Sequence, residues 1–149
     1  MVQAPATPRV DFYVLDTAEE RALLLMACRL VEKAYLAEQT VYVHCDDAAA
    51  AAALDDLLWT YSDRSFVPHA LAGVDGSAPV RIGSAEPVAA QVLVQLACVA
   101  PAFYASYERI ADFVDADPKR RDDGRRRFAW YRDQGVRPET HKVGADAGG

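Results

Sequence analysis

Apolar and polar positions alternate along this chain in blocks that predict strand, helix, strand, helix. Val10 to Leu15 is nearly continuous in apolar side chains, the pattern of a strand buried on both faces of a parallel sheet. Leu23, Met26, Ala27, Leu30 and Ala34 then recur at helical spacing, predicting a helix from about Ala18 to Glu38. Thr40 to His44 reads as a second strand, with Asp46 placed to cap the alanine-rich helix that ends near Trp59. Gly73, Gly76 and Pro79 mark a loop before a short strand at Val80 to Ile82, and Val88 to Ala97 is the next β-rich stretch. Pro101 suits the first turn of a helix striped by Phe103, Tyr107, Ile110 and Val114. Asp117-Pro118 opens a last helix, which Gly135 stops. These elements predict an α/β fold: one domain with a mostly parallel central sheet and flanking helices, residues 1–8 and 143–149 being flexible ends around a domain of 9–142.

That topology often hosts a nucleotide at the carboxyl ends of its strands. The loop after the first strand argues against one here: Asp16-Thr17-Ala18-Glu19-Glu20 lacks glycine and carries three acids that repel phosphate. His44-Cys45-Asp46, at a strand end, is the one constellation that suggests an enzyme, since a Cys-His pair can generate a thiolate. Adjacent strand residues point to opposite faces, however, so the alternative of a buried thiol beside a helix cap is favoured. Three scattered histidines imply no metal, and no cofactor is expected. Cys28, Cys45 and Cys98 lie in apolar segments and read as reduced core thiols. No apolar run has the length of a membrane span and no signal peptide precedes the domain, so a cytoplasmic protein is expected.

Charge is unevenly spread. Lys119 to Lys142 holds nine basic residues against four acids, a net of +5 in a chain whose formal net charge is -6. Arg121, Arg125, Phe128 and Arg132 fall at i, i+4, i+7 and i+11, on one helical stripe about 60° wide. Guanidinium forks around an aromatic ring suit an acidic segment ending in a hydrophobic residue. Direct nucleic-acid binding by this helix is the competing reading, opposed by the interleaved Asp122, Asp123 and Asp133.

Trp59 and Phe66 lie at a helix end and in the turn beyond, followed by the stiff Val67-Pro68-His69. A mini-core under a loop and a partner surface are both compatible with that placement. The order Leu-Asp-x-x-Leu-Trp, then Ser65-Phe66-Val67-Pro68-His69-x-Leu71-Ala-Gly, together with a strand at Phe12–Asp16, a Pro79-Val80-Arg81-Ile82 strand, an Asp112-Phe113-Val114 helix end and a basic C-terminal helix, resembles the chi subunit of the bacterial DNA polymerase III holoenzyme. The resemblance spans nearly the whole chain. It implies a non-catalytic clamp-loader accessory protein with two partners and only indirect contact with DNA. Trp59, Phe66, Val67, Pro68, His69 and Leu71 would meet the psi subunit, the aromatics acting as anchors. Arg121, Arg125 and Arg132 would bind carboxylates of the C-terminal tail of the single-stranded DNA-binding protein. Phe128 and Val114 would line the pocket for the tail's last side chain, with Thr140 contributing from the following segment.

Overall fold

A computed structural model describes residues 7–64, 66–72, 77–84 and 88–143; Ser65, Gly73 and Gly76 lie outside them. Seven strands form one all-parallel sheet: β1 (Arg9–Leu15), β2 (Val41–His44), β3 (His69–Leu71), β4 (Val80–Gly83), β5 (Val92–Gln95), β6 (Arg109–Val114) and β7 (Glu139–Val143). Their spatial order is β3-β4-β2-β5-β6-β1-β7. Helices α1 (Glu20–Leu36) and α2 (Ala48–Thr60) join the strands along one face, and α3 (Pro118–Asp133) packs against β6.

Two cores result, one on each face of the sheet. α1 buries Leu23, Ala27, Leu30, Val31 and Ala34, α2 buries Ala51, Leu54 and Leu58, and both pack with Leu15, Val43, Ile82, Val94 and Phe113. On the other face Val10, Phe12, Tyr42, Leu93, Ile110 and Val114 meet Tyr131 of α3. The period-2 alternation of strand side chains explains why Leu15 and Phe12 serve different cores.

The segment after Pro101 departs from the expected helix. It makes a single 3₁₀ turn, Tyr104–Ser106, and then strand β6. Residues 110–114 are buried on both faces of the sheet, and a two-sided buried strand imitates a helical stripe because every position in it is apolar or internally paired. Asp112-Phe113-Val114 is therefore a strand end, not a helix end. Asp47, not Asp46, caps α2 by accepting the Ala50 amide at 2.8 Å. Asp46 instead accepts the Cys98 amide at 2.7 Å. Cys28 and Cys45 are buried as expected, whereas Cys98 is exposed.

Gly124 looks like a flaw in α3, since glycine costs about 1 kcal/mol relative to alanine in a helix. Its reason is contact: a Cβ there would sit 2.0 Å from Val114 Cγ1, so glycine lets α3 lie close against β6. Gly124→Ala is thus expected to lower stability in urea unfolding by about 1–3 kcal/mol, overpacking outweighing propensity. Combined with Val114→Ala it should cost less than the two single changes together; additive losses, or a stabilised Gly124→Ala, would contradict this packing.

Candidate partner-binding surfaces

α3 starts at Asp117, whose carboxylate accepts the Arg120 amide at 3.0 Å, with Pro118 in its first turn. It ends in a Schellman motif: the Gly135 amide donates to the Arg132 carbonyl and the Val136 amide to the Tyr131 carbonyl, both at 3.0 Å. Gly135 carries the positive φ of 86° that this stop requires. The chain is thereby turned back so that Gly135, Val136, Arg137 and Pro138 face Phe128 and Arg132 across an open groove of about 610 Å³.

The basic residues of α3 divide into two groups. Lys119 pairs with Asp123, Arg120 with Asp115 and Glu20, Arg126 with Asp122 and Asp123, and Arg127 with Asp112. Arg121, Arg125 and Arg132 are exposed and have no acid partner among the described residues. These three are the cations of the stripe, and half-buried Phe128 lies among them, its ring 5.3 Å from that of Phe12. Asp122 and Asp123 within α3, with Asp112, Asp115 and Glu20 outside it, neutralise its other cations and leave this stripe charged.

Two further expected residues sit differently from one another. Thr140 is exposed on edge strand β7, in register with Phe12, and so on the α3 face of the sheet. Val114 is buried beneath Gly124 and does not line the groove. Sequence reasoning missed Arg137, Val136 and Pro138 as groove residues; the Gly135 helix stop was the available signal that the chain folds back here.

At the opposite sheet edge Trp59 and Phe66 are 51% and 67% exposed, with ring centroids 5.7 Å apart. Trp59 rests on His69 at 4.3 Å. His69 is buried, its Nδ1 2.6 Å from the Val67 carbonyl and its Nε2 3.1 Å from the Asp55 carbonyl. Val67 is also buried, and Leu71 closes β3 half-buried. His69 therefore forms the platform beneath Trp59, Val67 joins the core with α1 and α2, and Pro68 is half-buried between them. β3 was hidden from sequence reading because it is only three residues long.

The His44-Cys45-Asp46 end of the sheet is arranged for structure. His44 Nδ1 lies 3.0 Å from Gln95 Oε1, and burial pushes the Cys45 thiol up to about 12, further raised by Asp46 and Asp47, which disfavours a thiolate at neutral pH. The hollow that opens nearby, about 110 Å³, is lined by Asp46 but not by His44 or Cys45. Beside the acidic loop after β1, Arg120 donates to the Ala18 carbonyl and pairs with Asp115 and Glu20. Among the described residues no helix is long and apolar enough to cross a membrane.

Comparison with known proteins bears on the fold and the family. The crystal structure of T4 UvsW superposes with a TM-score of 0.62 at 11% identity, over 92% of this chain and 42% of that one, a likeness of fold alone. The chain is 40% identical over 137 residues to the DNA polymerase III subunit chi of Pseudomonas aeruginosa, covering 91% of this chain and 96% of the relative. It is 29% identical to that of Haemophilus influenzae, over 90% of this chain and 96% of the relative, and 28% identical to that of Escherichia coli, over 87% and 94%. The family profile described as DNA polymerase III chi subunit, HolC, matches residues 7–139, and the chain therefore belongs to this family of DNA-replication proteins.

Proposed function

We propose that this protein is a non-catalytic bridging subunit of the cytoplasmic replication machinery, joining the clamp loader, through the psi subunit, to the C-terminal tail of the single-stranded DNA-binding protein. The observation that carries the reading is the selective pairing on α3: four cations are neutralised while Arg121, Arg125 and Arg132 stay open beside Phe128 and its groove. An acidic tail ending in proline and phenylalanine complements that arrangement, its carboxylates meeting the guanidiniums and its last ring the groove. Thr140 lies on the same face and can approach the tail. Val114 supports the pocket from beneath through its contact with Gly124.

The psi subunit is assigned to the Trp59–Phe66 surface. β3 and β6, the strand α3 packs on, are four strand spacings apart, roughly 19 Å at about 4.8 Å each, so two partners can be held without touching. Contact with DNA is then made only through the tail-bearing protein. The overall charge of -6 favours that over direct binding.

Calorimetric titration with a peptide of the tail tests the reading. Arg125→Ala should weaken binding at least about tenfold, equivalent to roughly 1.4 kcal/mol, and added salt should weaken the wild type. Deleting the terminal phenylalanine should cost about as much, and psi binding should survive Arg125→Ala. Unchanged tail affinity would remove α3 from the mechanism.

A further inference from the structure

The face of the sheet opposite α3 is covered unevenly. α1 packs mainly over β2, β5 and β6, so β1 and edge strand β7 present side chains beside it instead of beneath it. Phe113, Tyr13 and His141 stand in register across β6, β1 and β7, with rings 5.4 and 5.2 Å apart and nearly parallel at 25° and 26°. The Arg109 guanidinium donates to the Tyr13 hydroxyl and, at 3.1 Å, to Asp11. Between this aromatic row and α1 lies an open groove of about 350 Å³, lined among others by Tyr13, Met26, Arg29, Leu30, Lys33 and Arg109.

The charges around this groove are not there for the helix. Arg29 and Lys33 are exposed, one turn apart on α1, and have no acid partner among the described residues. A like-charged pair at i, i+4 costs an isolated helix a few tenths of a kcal/mol. Lys33 meets the negative end of the α1 dipole, but Arg29 lies a turn too early to gain from it. Asp11, which pairs with the groove residue Arg109, is already used: it is fully buried and held by Arg9, Arg109 and His141. Burial alone would push its carboxyl up, and the hydrogen bonds from those three hold it below its ordinary value instead. Glu139 joins Asp11 and His141 in a cluster with metal-ligand spacing, yet two guanidiniums beside Asp11 leave no surplus negative charge there for a cation.

We propose that the groove between α1 and β1 is a docking site for an acidic peptide segment carrying an apolar side chain, contributed by a partner protein. The cationic rim of Arg29 and Lys33 meets the carboxylates, Arg109 stays with Asp11 at the end of the groove, and Met26, Leu30 and the edge of Tyr13 receive the apolar group. A single-stranded nucleic acid would need an open ring face for its bases, and both faces of Tyr13 are covered, by Phe113 and by His141. The groove lies on the other face of the sheet from α3, so its occupant does not compete with a ligand held there.

An acetylated and amidated peptide, Glu-Asp-Leu-Phe-Asp-Glu, tests this, having no free terminal carboxylate. Titrated into the full chain labelled with ¹⁵N, it should shift the amides of Tyr13, Arg29, Lys33 and Arg109. The exposed double variant Arg29→Ala/Lys33→Ala should melt at the wild-type temperature and bind at least about tenfold more weakly. Arg125→Ala should bind normally, and replacing Leu and Phe of the peptide by Ser should also cost at least about tenfold. Equal affinity in the double variant, equal affinity for the Ser peptide, or shifts confined to α3 would each overturn the proposal. Tighter binding of oligothymidine than of the peptide at the groove amides would make it a nucleic-acid surface instead.

Discussion

Arg127→Ala is expected to lower the free energy of unfolding by about 3–5 kcal/mol, the range for deleting one partner of a buried ion pair. Arg127 Nε lies 3.1 and 3.0 Å from the two Asp112 oxygens, its Nη2 donates to the same carboxylate at 3.0 Å, and its Nη1 donates to the Cys98 carbonyl at 2.9 Å. Asp112 is fully buried in β6. Burial pushes its carboxyl up, and the charge and hydrogen bonds of Arg127, with a hydrogen bond from the Phe113 backbone, pull it only part of the way back; without Arg127 the Phe113 backbone alone opposes the upward push. A carboxyl raised in the folded state and ordinary in the unfolded one favours folding when protonated, so the stability loss in Arg127→Ala should be smaller in mildly acidic buffer than at neutral pH. Arg127→Lys should recover only part of the loss, because an ammonium cannot reproduce the fork. Urea unfolding at two pH values measures this. A loss under about 1 kcal/mol, or one that does not shrink with acid, would show that Asp112 is neutral or hydrated in the wild type. Together with Arg125→Ala, the experiment separates the structural cations of α3 from those assigned to a ligand.

Much of this division was visible in the sequence, and the misreadings share a cause. The stripe of Arg121, Arg125, Phe128 and Arg132 was legible because helical spacing alone places side chains on one face. That Arg127 is structural was not legible, because its partner Asp112 lies in a segment read as helix. Ile110 to Val114 is buried on both sides, and such a strand carries no period-2 signal. Gly124 read as a weak point because propensity is local, whereas its reason, the approach of Val114, is tertiary. The sheet edges were hardest to see. β3 is three residues long, and β7, Glu-Thr-His-Lys-Val, is mostly polar, as edge strands tend to be. The inner strands β1, β2 and β5 were legible because a parallel sheet covered on both faces demands apolar runs, and β4, Val-Arg-Ile-Gly with alternating burial, was legible from the glycine and proline loop before it. Exposure of Trp59 and Phe66 followed from their place beyond the core-facing part of α2, but the burial of Val67 and His69 depends on β3.

Trp59→Ala and Phe66→Ala should each weaken the psi complex by at least about 2 kcal/mol, close to thirtyfold, while leaving the isolated domain folded. Phe66 is two-thirds exposed, so its truncation should change the unfolding free energy by about 1 kcal/mol, whereas Trp59 has about half its surface buried against its surroundings and its truncation should cost about 1–3 kcal/mol. The orientation of Trp59 is set from below. Its ring rests tilted on His69, whose own ring is fixed between the Val67 and Asp55 carbonyls, so this proposed anchor is presented with few conformations left to lose on binding. His69→Ala makes the informative contrast. It removes a buried ring and its hydrogen bonds, and should therefore reduce stability as well as psi affinity. Calorimetry with purified psi, alongside thermal unfolding of each variant, reads both quantities. If the Trp59 and Phe66 variants lose cooperative unfolding yet bind psi normally at a temperature where they are folded, the aromatics are a small satellite core and the psi surface lies elsewhere. If tail-peptide affinity falls in parallel with psi affinity, the two surfaces are not independent, and the bridging arrangement that places one partner at β3 and the other on α3 is wrong.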